Sequence, residues 1–304
     1  MNSRLIWLDG KVLPVEDAKV NVLSPTSQFG ANVFEGIRCY WSEENNKLYA
    51  FRLEDHFNRL LRSVKLFRFE NRYTLEDLKQ SFVEVIKANS FKEDIAVRQT
   101  IFLDGFGSWF ATGPTNMFIA PIPKARQNPS TSKGINCCVS SWERINDNSM
   151  SPRVKVGANY INSRAAQLEA LQNNYDSAIF LNNQGKVAEG PGSCLFIIRN
   201  NKLVTPPLTA SILESITRDT IIEIAKNDLG LDFEEREIDR TELYIADEVF
   251  LCGSAIEINA IVSIDGYTIG SGEKGSISKR LHQLYLEIAS GKVEKYSKWL
   301  TSIY

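Results

Sequence analysis

Residues 154–160 of this 304-residue chain read VKVGANY, a glycine-containing segment with polar side chains between apolar stretches. Similar segments are FGANVFEGIR at 29–38, VAEGPGSC at 187–194 and LCGSAIE at 251–257. Glycines between strand patterns let the backbone approach a ligand closely, although each segment alone is also typical of a turn. As a set they indicate a ligand site built from separate parts of the chain.

Around these segments the sequence alternates strand and helix patterns. An Asp9-Gly10 turn predicts an opening hairpin, DHFNRLLRSVKLF predicts a helix, and Thr74 with Asp77 predicts a capping box at a second helix. A proline-rich polar stretch at 123–134 is typical of a linker. We therefore expect an α/β (α+β) protein with a smaller N-terminal domain at 1–122, a linker at 123–134 and a larger C-terminal domain at 135–304.

The composition excludes several classes of protein. The 35 basic and 37 acidic residues give a net charge of −2, which argues against a dedicated nucleic-acid binder. No apolar run approaches the roughly 20 residues of a membrane span, and the first residues lack a signal-peptide pattern. The five cysteines without a C-x-x-C motif indicate free thiols of a reducing compartment, so we expect a cytoplasmic protein.

Common signatures of nucleotide and metal sites are missing. The sequence has no G-x-G-x-x-G, P-loop or H-E-x-x-H motif, and its two histidines, His56 and His282, lie far apart. We therefore expect no metal site, and spacing alone does not identify an activity.

The ordered motifs resemble those of fold-type IV pyridoxal phosphate enzymes, specifically the branched-chain amino acid aminotransferase family. The resemblance runs nearly end to end. It implies two mixed α/β domains with pyridoxal 5'-phosphate between them, and a homodimer or higher homo-oligomer. It rests on VFEGIR at 33–38, HFNRLLRSVK at 56–65, VKVGANY at 154–160, AEGPGSCLF at 188–196, ESITRD at 214–219 and ADEVFLCGSAIEI at 246–258.

Three residues match the family's contacts with the cofactor ring. Lys155 matches the lysine that binds the cofactor covalently and then acts as acid and base. Glu189 matches the carboxylate that faces the pyridine nitrogen and favours its protonated form. Tyr160 matches the phenol that contacts the ring oxygen. Without the resemblance, these residues would be interpreted as a surface lysine, a turn carboxylate and a core aromatic residue.

The resemblance also implies a phosphate site. Arg59, in H-x-x-R-L, would bind two phosphate oxygens. Ile216 and Thr217 would lie in the first turn of a helix, where amides and the helix dipole favour an anion. Ser254 stands where the family usually has threonine and still offers a hydroxyl. Each residue also has an ordinary structural explanation, as a solvated helix face, a helix cap or a turn residue.

The match is weaker on the substrate side. Ala96 and Phe29 stand where the branched-chain enzymes usually have tyrosine, which puts strict branched-chain specificity in doubt. Cys194 replaces a usual asparagine and is interpreted as a buried small residue. The residues that match the family's substrate contacts are Phe34, Gly36, Arg38, Arg98 and Ala255.

The sequence thus predicts an aminotransferase that moves an amino group from an apolar L-amino acid, branched-chain or similar, to 2-oxoglutarate by a ping-pong mechanism. Its partners would be amino acids and 2-oxo acids, without nucleic acid or membrane. Two alternatives on the same fold stay open: a lyase of the 4-amino-4-deoxychorismate lyase type, and a transaminase for D-amino acids or (R)-amines. A binding protein that has lost the cofactor is a third, disfavoured by Lys155, Glu189 and Arg59 together.

Overall fold

The computed structural model describes residues 4–304 and divides into two compact units. The first comprises Met1–Arg126, Val154–Ala158 and Glu287–Tyr304, and the second comprises Gln127–Arg153 and Asn159–Leu286. Two segments from the second half of the chain thus pack with the first unit. The continuous domains expected from the sequence stay a prediction.

Helices and strands alternate along the chain, which confirms the expected α/β class. The helices are α1 (Pro25–Phe29), α2 (Leu53–Leu66), α3 (Leu75–Asn89), α4 (Tyr160–Gln172), α5 (Ile216–Asp228), α6 (Arg240–Tyr244) and α7 (Ser276–Ala289). The strands are β1 (Leu5–Leu8), β2 (Lys11–Pro14), β3 (Asn32–Ser42), β4 (Lys47–Phe51), β5 (Ile95–Leu103), β6 (Thr115–Pro123), β7 (Ile135–Glu143), β8 (Ser177–Leu181), β9 (Glu189–Gly190), β10 (Ser193–Arg199), β11 (Lys202–Thr205), β12 (Asp232–Glu235), β13 (Glu248–Gly253), β14 (Glu257–Ile264), β15 (Tyr267–Thr268) and β16 (Leu300–Ser302).

The first unit is built on an antiparallel sheet, with strand order β16-β4-β3-β5-β6-β1-β2 in the described residues. Asp9 and Gly10 have φ angles of 46° and 83° at the predicted hairpin turn between β1 and β2. Left-handed angles at both central residues suit the twist of a two-residue hairpin. This prediction from the sequence is confirmed.

Helices α2 and α3 cover one face of this sheet. Phe57 of α2 meets Phe82 of α3 edge-to-face, with 5.8 Å between the ring centroids, and both side chains are buried. The predicted capping box is present, because Thr74 accepts from the Asp77 amide and Asp77 accepts from the Thr74 amide. Satisfying two exposed donors of the first turn contributes about 1 kcal/mol to helix stability.

Strand β3 contains one of the glycine segments for which the sequence left two explanations, a close approach to a ligand or an ordinary turn. The structure has one strand of 11 residues here and no turn at Gly36. A side chain built at Gly36 would meet nothing within 4 Å, so this glycine leaves open space on the strand rather than bending it. The pairing with β5, which runs from Asn32–Phe102 to Cys39–Ile95, overrides the local preference of glycine for turns.

The second unit contains a mixed sheet, with strand order β12-β11-β10-β13-β14-β7-β8 in the described residues; β9 and β15 pair at its sides. Its core includes Ile179, Leu195 and Leu251, all buried. Helix α4 packs small residues, Ala166 and Ala170, against Phe180 of the sheet. Among the described residues, no helix has the length and apolar character needed to cross a membrane.

Candidate active site

Lys155 lies in the short segment of the first unit that pairs with the start of β3. Its carbonyl accepts from the Phe34 amide at 2.9 Å, and Val156 forms a bridge with Val33. Val154 and Val156 are buried on either side, whereas Lys155 is only half-buried. The backbone at Lys155 is therefore held by its neighbours through contacts that do not involve the lysine side chain.

The Phe34 ring carries two cationic groups. The Nζ atom of Lys155 lies 5.1 Å from its centroid, and the guanidinium carbon of Arg98 lies 3.6 Å from it. Gly36 is the direct cross-strand partner of Arg98 and adds no side chain there. The structure thus brings together Lys155, Phe34, Gly36 and Arg98 in the first unit, with a primary amine and a guanidinium over the same aromatic ring. A guanidinium is a cation suited to a carboxylate.

Arg38 lies on the same strand face but is enclosed. It is 2% exposed, donates from Nη2 to the Lys124 carbonyl at 2.9 Å and lies over the Tyr40 ring at 5.0 Å. These contacts anchor the chain at the end of the first unit. A contribution of Arg38 to substrate binding stays a prediction.

Arg59 lies on the opposite side of β3, in a buried ion pair that the sequence did not indicate. Its Nε and Nη2 atoms donate to the two carboxylate oxygens of Glu35, each at 2.7 Å, and His56 Nδ1 lies 2.6 Å from Glu35 Oε2. Burial would raise the pKa of Glu35, but the charges and hydrogen bonds of Arg59 and His56 lower it to about 2. Burial lowers the pKa of His56 and outweighs the Glu35 carboxylate, which raises it; the charges of Arg59 and Lys155 lower it further.

Glu189, in the second unit, is held by a partner that sequence reasoning missed. Arg144 donates from Nε to Glu189 Oε1 at 2.8 Å, with Nη2 also 2.8 Å from this oxygen. Both side chains are buried, and Arg144 also donates from Nη1 to Asn162 at 3.3 Å. A buried carboxylate keeps its charge only with such a partner.

The second carboxylate oxygen of Glu189 has weaker donors. The Leu213 amide donates to Oε2 at 3.2 Å, and the Cys194 thiol donates to the same atom at 3.7 Å. Burial raises the pKa of Cys194 to about 12, so the thiol stays protonated as a weak donor. The interpretation of Cys194 as an unreactive buried residue is consistent with this environment.

Helix α5 begins as the sequence predicts and supplies polar groups at its first turn. Ser215 is the N-cap and accepts from the Arg218 amide at 3.2 Å. Thr217 Oγ1 lies 3.5 Å from Ser254 Oγ, on the turn between β13 and β14. Glu214 forms an ion pair with Arg153, which neutralises an acidic side chain next to this turn.

The structure thus brings Thr217, Ile216 and Ser254 together in the second unit, with Ala255 exposed on the same turn. Tyr160 opens α4 and is 36% exposed, near the backbone of Gly192. Two hydroxyls at a helix N-terminus form a donor set typical of a phosphate site. The proposed role of each residue stays a prediction.

The residues that sequence reasoning missed are charged partners in the interior, Arg144, Glu35 and His56. A weak signal exists for one pair, because His56 and Arg59 are three residues apart and so share one face of α2. Glu35, a carboxylate between buried residues of a strand, is a second signal. Nothing local in the sequence marks Arg144.

With this geometry established, comparison with known proteins identifies the class. The family model described as amino-transferase class IV matches residues 32–264. The chain therefore belongs to the class IV aminotransferases, and its fold is that of the fold-type IV enzymes expected from the motifs.

Individual relatives are similar to this chain along nearly its whole length. A probable branched-chain-amino-acid aminotransferase of Aquifex aeolicus is 40% identical over 98% of this chain and 96% of its own length. The branched-chain aminotransferase of Thermobaculum terrenum in PLP form has a TM-score of 0.94 and 41% identity, covering 100% of this chain and 99% of its own. The T.th. branched-chain aminotransferase complexed with N-(5'-phosphopyridoxyl)-L-glutamate has a TM-score of 0.93 and 35% identity, with 100% of both chains covered.

Proposed function

We propose that this class IV aminotransferase moves the amino group of an apolar L-amino acid, branched-chain or similar, to 2-oxoglutarate by a ping-pong mechanism. The observation that carries the proposal is the pair of cationic groups over the Phe34 ring. Lys155 Nζ lies 5.1 Å from the ring centroid, and the guanidinium carbon of Arg98 lies 3.6 Å from it. An amine able to transfer protons and a cation able to bind a carboxylate are the groups that this reaction needs.

Pyridoxal 5'-phosphate is the cofactor, and each unit by itself offers groups of the kind that it needs. Lys155 offers the amine, Glu189 a buried charge for the ring nitrogen, and Thr217 with Ser254 hydroxyls for the phosphate. When bound, the cofactor supplies an aldehyde that condenses with amines and a ring that accepts electron density. The relatives solved in PLP form and with a phosphopyridoxyl glutamate support this assignment.

Residues of the chain would provide proton transfer, a negative charge for the ring nitrogen and a cation for the substrate carboxylate. Lys155 Nζ would take the proton from the α-carbon of the amino acid and deliver a proton, from the same face, to the other end of the 1,3-shift. Glu189, with Arg144 behind it, holds a negative charge in a dry environment, where its effect on a facing nitrogen is strong. Arg98 provides a cation for the side-chain carboxylate of glutamate or 2-oxoglutarate, and its guanidinium is held over the Phe34 ring.

The function is tested with a panel of donors against the purified holoenzyme. We expect glutamate formation from 2-oxoglutarate with L-leucine, L-isoleucine or L-valine, and parallel lines in double-reciprocal plots. Activity only with D-amino acids would contradict the proposal, as would pyruvate release from 4-amino-4-deoxychorismate. The relatives named as branched-chain aminotransferases support the proposed function over both alternatives.

Arg98→Ala should lower activity with an acceptor that has a side-chain carboxylate far more than activity with an apolar 2-oxo acid. We expect kcat/KM for 2-oxoglutarate to fall by roughly 100-fold, since a charge-assisted pair is worth about 3 kcal/mol. For 4-methyl-2-oxopentanoate we expect a change of less than about threefold, because its side chain has no carboxylate. Steady-state kinetics with both acceptors measure the difference.

The matched control for this variant is Arg72→Ala, since Arg72 also lies over an aromatic ring, Tyr73, at 5.2 Å. It should leave both acceptors unchanged. Equal losses for both acceptors in Arg98→Ala would assign Arg98 to the α-carboxylate or to structure.

We also propose a homodimer. The segment between β5 and β6 exposes Phe106, Trp109 and Phe110 at 75%, 73% and 70%, an unusual concentration of aromatic surface. Trp109→Ser with Phe110→Ser should shift sedimentation velocity toward the monomer, whereas Tyr267→Ser, at another exposed aromatic residue, should not. A monomeric parent protein at micromolar concentration would contradict the proposal.

The free, buried cysteines support a reducing compartment, and we propose the cytoplasm.

A further inference from the structure

We propose that Glu35 is a positioning residue, whose buried carboxylate orients Arg59 for the phosphate group of the cofactor. His56 supports it by holding the second carboxylate oxygen. This inference rests on the proposed function, because it takes Arg59 as a phosphate-binding residue. In this role Glu35 and His56 act on the cofactor only through Arg59.

The geometry around Glu35 is closed on all sides. Glu35 is 0% exposed, His56 is 2% and Arg59 is 4% exposed. Oε1 accepts from Arg59 Nε, and Oε2 accepts from Arg59 Nη2 and lies 2.6 Å from His56 Nδ1. Two parallel bonds to a planar guanidinium fix its plane as well as its position.

The pairing also sets which edge of Arg59 faces the carboxylate. Glu35 takes the edge formed by Nε and Nη2, so the Nη1 side points away from it. A guanidinium carries five N–H donors, and its second edge can hold another planar pair of oxygens. The ion pair therefore presents Arg59 in one orientation rather than as a flexible side chain.

The charges suit this arrangement at neutral pH. Glu35 stays ionised, since Arg59 holds the pKa of its carboxyl near 2 despite burial. Burial lowers the pKa of His56, so its ring is neutral and donates from Nδ1 to the carboxylate. Glu35 thus offsets the cost of burying Arg59 before any phosphate arrives.

Strand alternation separates this cluster from the substrate face. Glu35 points toward α2, whereas Phe34 and Gly36 point to the opposite face with Arg98. A change at Glu35 should therefore act on the phosphate group and spare the contacts of Lys155 and Arg98. That difference distinguishes a positioning role from general stabilisation of the fold.

The test compares cofactors with and without phosphate. Apoenzyme is titrated with pyridoxal 5'-phosphate and with pyridoxal, and the dissociation constants are read from absorbance and protein fluorescence. We expect Glu35→Gln to weaken pyridoxal phosphate by about tenfold or more and pyridoxal by less than about twofold. His56→Asn keeps a donor near the Nδ1 position and should retain most of the affinity, whereas His56→Leu should not.

Two further variants make the result decisive. Asp94→Asn removes another buried carboxylate with a bidentate arginine, Arg126, and should destabilise the protein without changing the ratio of the two affinities. Glu35→Asp shortens the side chain but keeps its charge, and it gives the same measurement if Glu35→Gln does not fold. We expect it to weaken pyridoxal phosphate selectively.

The outcomes separate the inference from the function on which it rests. If Glu35→Gln or Glu35→Asp weakens both cofactors equally, as a purely structural change would, the positioning role is wrong. If Arg59→Gln itself leaves the ratio of affinities unchanged, the phosphate role of Arg59 in the proposed function is wrong instead. If Arg59→Gln changes the ratio of the affinities for pyridoxal phosphate and pyridoxal but the Glu35 variants do not, the positioning role is wrong and the phosphate role of Arg59 stands.

Discussion

Lys155→Ala should abolish amino transfer while the protein stays folded. We expect turnover to fall by roughly four orders of magnitude or more, each tenfold being about 1.4 kcal/mol of barrier. The reason is that alanine has neither the amine that links to the cofactor nor a group that moves the proton. The visible absorbance of the lysine-linked cofactor should disappear as well.

The fold should tolerate this change because the backbone contacts do not depend on the lysine side chain. The Phe34 amide bonds to the carbonyl of residue 155, and the flanking Val154 and Val156 supply the buried apolar surface. Thermal unfolding of the apoenzyme checks this point. Lys226→Ala is the matched control, since Lys226 also lies over an aromatic ring, Phe233, at 4.4 Å. Parent-like transamination by Lys155→Ala would show that another residue is the catalytic amine.

Glu189→Gln should leave the cofactor bound and slow the reaction by roughly three orders of magnitude. Glutamine keeps the shape of the side chain but removes the charge that favours a protonated ring nitrogen. The ring then accepts electrons less readily, so the effect should fall on kcat more than on KM. Single-turnover rates and the cofactor content after desalting measure the two effects separately.

The ion pair with Arg144 gives this prediction an internal check. Glu189→Gln leaves the buried Arg144 facing a neutral amide, so a loss of stability is expected too. Glu242→Gln removes one of the two carboxylate partners of Arg236 in the same unit and serves as the control for ion-pair loss alone. Near-parent rates in Glu189→Gln would mean that a different group faces the ring nitrogen.

Much of the candidate site could be predicted because its motifs are local. Lys155 and Tyr160 belong to one segment, Ile216 and Thr217 to the first turn of one helix, and the match to the family requires only their order along the chain. The partners of these residues are not local. Glu35 and Arg59 are 24 residues apart, and Arg144 and Glu189 are 45 apart. No periodicity or capping pattern extends over such distances.

The sequence by itself determined the local structures that form between residues close together in the chain. The Asp9-Gly10 hairpin, the capping box at Thr74 and helix α2 depend on residues that are close together in the sequence, and each prediction was confirmed. Strand β3 shows where this information ends, because its long pairing with β5 overrides a glycine that locally favours a turn. Only the tertiary structure decided which cation neutralises which buried carboxylate. A buried charge selects its partner by distance in a low-dielectric interior, and that distance exists only after the chain has folded.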